Sequence, residues 1–215
     1  MDKQQILQAL KKLRESSKKR NFSQSVDLII TLRQLDLKKP EQNINLFLTL
    51  PYKTGKEVRM CALVDKELQE QAKTTFHKTM LREDFQKLKP KDIKKMAREY
   101  DFFVAQASIM PDIAKFFGRT LGPKGKMPNP KSGCIVASNA QLKPLKEKLE
   151  KTIHLQTKNE LITKAIVGKE SMKDEELTEN ILAAYNNILH SLPQESQNIK
   201  KVLLKLTMSK TVELK

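Results

Sequence analysis

The stretch Gly118-Arg-Thr-Leu-Gly-Pro-Lys-Gly-Lys-Met-Pro-Asn-Pro-Lys131 departs furthest from helix or strand periodicity in this 215-residue chain. Together with Gly133 just beyond it, it holds four of the six glycines and three of the nine prolines. Glycine permits positive φ, whereas proline fixes φ and removes a donor, so an irregular loop of defined shape is expected here. Its cations Arg119, Lys124, Lys126 and Lys131 have no carboxylate among them, which makes the loop a candidate polyanion contact. On composition alone it reads equally as a long solvated loop. Two nucleotide-binding patterns fail by spacing. Counting back from Gly125-Lys126 puts Thr120 where a P-loop needs glycine, and Met127 replaces the required hydroxyl. Gly118, Gly122 and Gly125 also miss the G-x-G-x-x-G interval.

The texture around this loop is alternating strand and helix. Val58 to Val64 and Phe102 to Ala105 are almost continuously apolar, as strands covered on both faces should be. Helical periods lie between them, around Lys66 to Phe76 and from Pro90 through Ile93, Met96 and Ala97, and a short apolar helix is expected over Pro111 to Phe117. Beyond the loop, Cys134 to Ala137 is strand-like, and Leu142, Leu145, Leu149 and Ile153 mark another helix. This alternation predicts an α/β unit with a mainly parallel sheet.

The two chain ends read differently. Asp2 and Gln5 form a capping box before Ile6, Leu7, Leu10 and Leu13. Lys11, Lys12, Arg14, Lys18, Lys19 and Arg20 lie on or just past this helix, as a solvated face or an RNA contact. Val26, Leu28, Ile30 and Leu32 alternate with mostly polar neighbours, and Ile44, Leu46, Leu48 and Leu50 repeat the period, which suggests an antiparallel pair joined through residues 36–42 and Pro40. After a turn at 157–160, Leu161 to Val167 reads as a strand. Gly168-Lys169 reads as a break before a capped helix carrying Leu177, Ile181, Tyr185, Ile188 and Leu192. A strand over Lys200 to Leu206, a turn over Thr207 to Lys210 and a closing Val212 to Leu214 follow. The economical assembly is a two-domain α+β chain. Residues 1–57 and 152–215 form a split terminal domain with an antiparallel sheet and helices, residues 58–151 form an inserted Rossmann-like α/β domain, and the two crossings make a natural hinge.

Lysine and arginine number 41 against 25 acids, a formal charge of +16. Such an excess repels itself when the protein is alone, so a polyanionic partner, most commonly nucleic acid, is expected. No run approaches the roughly 18 apolar residues of a spanning helix, and no compact apolar leader opens the chain, so a cytoplasmic protein without a membrane role is expected. Cys61, Cys134, His77, His154 and His190 are scattered, with no metal-ligand spacing and no cofactor motif. The cysteines should be small buried thiols. Tryptophan is absent and aromatics make up 5%, which disfavours a base-stacking platform and favours readout through backbone, 2′-hydroxyls and shape.

The string GRTLGPKGKMPNPKSG resembles the signature of the ribosomal protein L1 (uL1) family, and its Arg-Thr-Leu and Lys-Met choices are closer to the archaeal type. The resemblance spans essentially the whole chain. It includes Phe22-Ser-Gln-Ser-Val26 leading into the first strand, Val167-Gly-Lys169, and Thr207-Met208. It implies the split fold above and an rRNA-binding surface on the terminal domain, to which Phe22, Ser25, Gly168, Lys169, Thr207, Met208 and Ser209 correspond. On its residues alone Phe22 reads as a core aromatic; the resemblance places it at the RNA. The family usually continues Thr-Met-Gly-Pro, whereas this chain has Thr-Met-Ser-Lys, so Ser209 stands where glycine is expected and Lys210 offers an ionic contact. The resemblance implies a non-enzymatic constituent of the large ribosomal subunit, monomeric within the ribosome. Its implied partners are the rRNA of the mobile L1 stalk, the E-site tRNA whose deacylated form it helps release, and its own mRNA, whose translation it represses. Arg119, Lys124, Lys126 and Lys131 are candidates for secondary RNA or interdomain contacts. Two rivals are a nucleotide-binding enzyme, which lacks a nucleophile–base pair, and a general RNA chaperone, which would not discriminate among structured RNAs.

Overall fold

The computed structural model describes residues 1–37, 39, 42–157 and 160–214. Pro40 and the central pair of the 157–160 turn lie outside the described residues. In chain order the elements are α1 (Lys3–Ser16), β1 (Ser25–Leu32), β2 (Asn45–Thr49), β3 (Met60–Val64), α2 (Gln69–Thr75), β4 (Lys78–Leu81), α3 (Pro90–Glu99), β5 (Phe102–Gln106), α4 (Met110–Leu121), β6 (Ile135–Val136), α5 (Leu142–Glu150), β7 (Thr152–Gln156), β8 (Ile162–Lys169), α6 (Asp174–Ser191), β9 (Ile199–Leu206) and β10 (Val212–Glu213). The chain folds as two compact units, Met1–Lys56 with Lys151–Lys215, and Glu57–Glu150.

In the first unit, an antiparallel sheet of order β10-β9-β1-β8 is covered on one face by α1 and α6. Alternation in β1 sends Val26, Leu28, Ile30 and Leu32 into the core, where they meet Ile6, Leu10 and Leu13 of α1 and Leu177, Ile181, Ala184 and Ile188 of α6. The expected pairing of β1 with β2 does not occur. Both edges of β1 are taken, by β8 and β9, and β2 instead pairs antiparallel with β7. Ile153, expected in a helix, belongs to β7 opposite Leu48. Gly168 and Lys169, expected as a break, continue β8, because across a one-residue register shift at Val167 they still pair with Val26 and Ser25. The helix that follows has no side-chain cap; its first turn instead carries Asp174, Glu175 and Glu176, which favour the helix dipole.

The second unit has a parallel sheet of order β4-β3-β5-β6. All five β3 residues are buried, as a doubly covered strand requires. Cys61 and Leu63 face α3 and α4, while Met60, Ala62 and Val64 face the side of α2 and α5. Cys61 and Cys134 are free and buried; burial pushes the Cys61 thiol up to about 12 and raises that of Cys134. The loop expected from Gly118 begins later. Gly118 to Leu121 finish α4, because Ile113, Phe117 and Leu121 form one buried stripe whose packing outweighs the helix penalty of glycine.

One buried polar side chain ties the first unit together. Asn180 of α6, fully buried, donates to the carbonyls of Val167 at 2.9 Å and Tyr52 at 3.2 Å and accepts the Tyr52 N–H at 3.0 Å. Asn180→Ala is expected to lower stability by about 1–3 kcal/mol, the cost of leaving buried backbone groups unpaired, as measured by urea denaturation followed by circular dichroism.

Candidate nucleic-acid interface

The start of β1, the end of β8 and the end of β9 meet at one end of the antiparallel sheet, with Ser25 opposite Lys169 and Val26 opposite both Gly168 and Leu206. The turn between β9 and β10 closes over this end. The Thr207 hydroxyl accepts the Ser25 N–H at 3.0 Å, and the Thr207 N–H donates to the Ser25 carbonyl at 3.2 Å. The Thr207 side chain is itself exposed.

Beneath the turn lies Gln24, only 1% exposed. Its Oε1 accepts the Met208 N–H at 3.1 Å, its Nε2 donates to Glu170 Oε2 at 3.3 Å, and its backbone carbonyl accepts the Glu170 N–H at 2.8 Å. One side chain therefore couples all three strand ends. Arg14 of α1 fixes the segment after β8, donating to the carbonyls of Glu170 at 2.8 Å and Met172 at 2.9 Å and pairing with Asp174 at 2.8 Å. Arg14 is thus a structural cation, whereas Lys18, Lys19 and Arg20, which lead towards Phe22, are exposed.

On this framework stand Phe22, 53% exposed, and Met208, 61% exposed. They are two of the three large hydrophobic side chains exposed among the described residues, so Phe22 is not the core aromatic that its residue type suggests. The Lys169 stem runs past Gly55, where an added Cβ would lie 3.3 Å from Lys169 Cδ. Ser209 does not take a left-handed backbone. Its hydroxyl accepts the Leu206 N–H at 2.9 Å and donates to the Lys210 carbonyl at 2.8 Å, so a side chain closes the turn. That hydroxyl is committed inward, and Lys210 is exposed beside it. Asp27 faces Lys205 across the strands; burial pushes its carboxyl above the ordinary range and Lys205 opposes the shift.

The sequence pattern of the Ribosomal protein L1p/L10e family matches residues 11–210. The chain belongs to this family. It is 37% identical over 217 residues to the large ribosomal subunit protein uL1 of Methanocaldococcus jannaschii, an alignment that covers 100% of this chain and 97% of the relative. The uL1 of Methanococcus voltae is 41% identical over 97% of this chain and 96% of its own length, and that of Pyrococcus abyssi is 36% identical over 100% and 97%. L1 proteins are structural components without enzymatic activity, and among the described residues no cluster capable of holding a metal is found.

Seven residues singled out through the L1 resemblance (Phe22, Ser25, Gly168, Lys169, Thr207, Met208 and Ser209) lie on the three strand ends and their connections. Arg119, Lys124, Lys126 and Lys131 lie in the other unit. Of these, Arg119, Lys124 and Lys131 are exposed, whereas Lys126 is half-buried with its ammonium 2.6 Å from the Tyr100 carbonyl. Gln24 and Glu170 were not among the sequence candidates, and Arg14, expected on a solvated face or at RNA, instead holds the segment after β8. A signal for Gln24 existed: it shares the inward parity of Val26 and Leu28, so a polar side chain there must find buried partners.

Gln24→Leu is expected to lower stability by about 1–3 kcal/mol and to speed hydrogen exchange at the Met208 amide, read by denaturation and by amide exchange. Gly168→Ala is expected to cost about 1–3 kcal/mol in the same denaturation assay, because the new Cβ would lie 2.3 Å from Cδ2 of the fully buried Leu177 and 2.8 Å from Met172 Sδ.

Proposed function

We propose that this protein is a structural constituent of the large ribosomal subunit, working in the cytoplasm, that binds large-subunit rRNA through the three strand ends and thereby forms the mobile L1 stalk. The observation that carries this reading is the exposure of Phe22 on the segment entering β1 and of Met208 on the β9–β10 turn, where the Thr207, Met208 and Ser209 amides are already bonded, in a chain of charge +16. Exposing two large apolar side chains on a pre-formed surface costs solubility without stabilising the fold, which a partner explains. RNA supplies riboses and base faces for Phe22 and Met208, a 2′-hydroxyl for the Thr207 O–H, and phosphates for Lys169 and the cations leading to Phe22. Ser25, Gly168 and Ser209 shape the surface: Ser25 holds Thr207, Gly168 leaves room for Leu177, and Ser209 closes the turn. In the stalk the protein assists release of deacylated tRNA from the E site. A similar RNA fold in its own message is bound by the same surface, repressing translation.

The test is binding of the full chain to a stalk rRNA fragment and to a length-matched unrelated structured RNA across a salt series. The preference for the stalk fragment is expected to survive as salt weakens phosphate contacts. Phe22→Ala and Met208→Ala are each expected to reduce that preference about tenfold or more, the scale of one lost stacking or apolar contact. Equal binding to both RNAs, unmoved by either substitution, would sink the reading.

A further inference from the structure

The α/β unit carries a second cationic surface that the strand-end site does not use. In α3, Ile93, Met96 and Ala97 are buried, and Lys91, Lys94, Lys95 and Arg98 project from the opposite side. Their spacing of three, four and seven residues puts them on one stripe about 10 Å long. Among the described residues none of the four takes part in an ion pair; Glu99 lies 3.8 Å from Arg59, and Asp92 is the acid in the first turn of the helix. Like charges at three- and four-residue spacing destabilise an isolated helix, and Lys91 stands near the positive end of the dipole. The stripe is thus a standing cost to the fold that an anionic partner would relieve.

The Gly/Pro loop brings further charge to the same end of α3. Lys126 bonds the carbonyl of Tyr100, the residue closing α3, and Met127 packs against the cluster that includes Met96, Ala97 and Tyr100. Gly125, at φ 66°, turns the chain there in open space, so its role is conformational. Lys124, two residues before Lys126, is exposed on this loop. We propose that this face, Lys91, Lys94, Lys95, Arg98 and Lys124, is a contact surface for the phosphate backbone of duplex RNA, independent of sequence. The proposal deepens the RNA-binding reading above and rests on it for the choice of polyanion.

The chemistry of the face selects that partner. A membrane-surface helix needs exposed apolar side chains beside its cations, and the large exposed hydrophobics among the described residues all lie in the other unit. Protein interface cores are depleted in lysine and enriched in aromatics, the reverse of this stripe. A row of unpaired cations without an apolar centre matches phosphates, whose binding releases counterions and makes affinity fall with salt.

The experiment compares the full-length protein with the quadruple variant Lys91→Gln, Lys94→Gln, Lys95→Gln, Arg98→Gln on two probes, an unrelated RNA duplex of about 20 base pairs and the stalk rRNA fragment. A control variant removes the same charge elsewhere in the unit: Lys73→Gln, Lys78→Gln, Lys143→Gln, Lys146→Gln. The stripe variant should lose tenfold or more in duplex affinity at low salt. Its slope of log affinity against log salt should shrink by roughly 2 to 3, about 0.9 for each phosphate contact removed. Its thermal midpoint should not fall, because like-charge repulsion has been removed. The control should change the slope by less than half as much. Wild-type slope and affinity in the stripe variant, or equal losses in the control, would overturn the proposal. Failure of the strand-end reading is separately visible, as loss of wild-type preference for the stalk fragment while the stripe still sets the duplex slope.

Discussion

The lodging of β1 between β8 and β9 is the constraint on which the terminal unit depends. A strand hydrogen-bonded on both edges fixes the heights of its two neighbours, so the residues at its start decide what stands beside the ends of β8 and β9. Ser25, Lys169 and Leu206 come from segments far apart in the chain, and it is the ladder that brings them level. Gln24 then turns this alignment into a rigid surface, since its amide has partners on both neighbouring connections. A buried amide satisfied on both sides resists small displacements, because any shift leaves a polar atom without water or protein to bond.

The two units divide electrostatic labour differently from the way composition suggests. Arg14 and Lys126 count as cations in the net charge, yet each is spent on backbone carbonyls within the fold. Lys18, Lys19, Arg20 and the outer face of α3 project to solvent. The Gly/Pro loop, so basic in sequence, leaves Lys124 and Lys131 exposed while Lys126 bonds the Tyr100 carbonyl and Met127 packs against the core of its unit. Its distinctiveness in sequence therefore reflects how hard that corner is to build.

Much of the fold was legible because buried faces impose strict periods. The nearly continuous apolar runs ending in Val64 and Ala105 announced a doubly covered sheet, and the alternation from Val26 to Leu32 announced a sheet covered on one face. Several readings failed where local pattern met a tertiary alternative. Gly118 looked like a breaker, but the Ile113–Phe117–Leu121 stripe carries the helix through it. Gly168 and Lys169 looked like a break, but Leu177 needs the space that glycine leaves, and β1 supplies the pairing. Two alternating strands in succession looked like a hairpin, but β1 had stronger partners from the other end of the chain. The strand β4 escaped notice because only Met80 among its four residues is fully buried.

The sequence by itself determined the class of each unit, the cationic character of the molecule and, through a few motif residues, the chain positions of the strand-end site. The first two follow from local periodicity and composition and the third from the resemblance to the L1 family, none of which needs knowledge of distant contacts. Tertiary structure alone decided that Phe22 is exposed, that Ser209 closes its turn with a hydroxyl where glycine was expected, that Gln24 joins the three strand ends, and which cations face solvent. The Gln24 and Arg14 bonds join residues more than a hundred positions apart, and no local pattern encodes which partner a buried amide or guanidinium will find; the Ser209 closure is local, but it depends on the turn that the β9 pairing sets up.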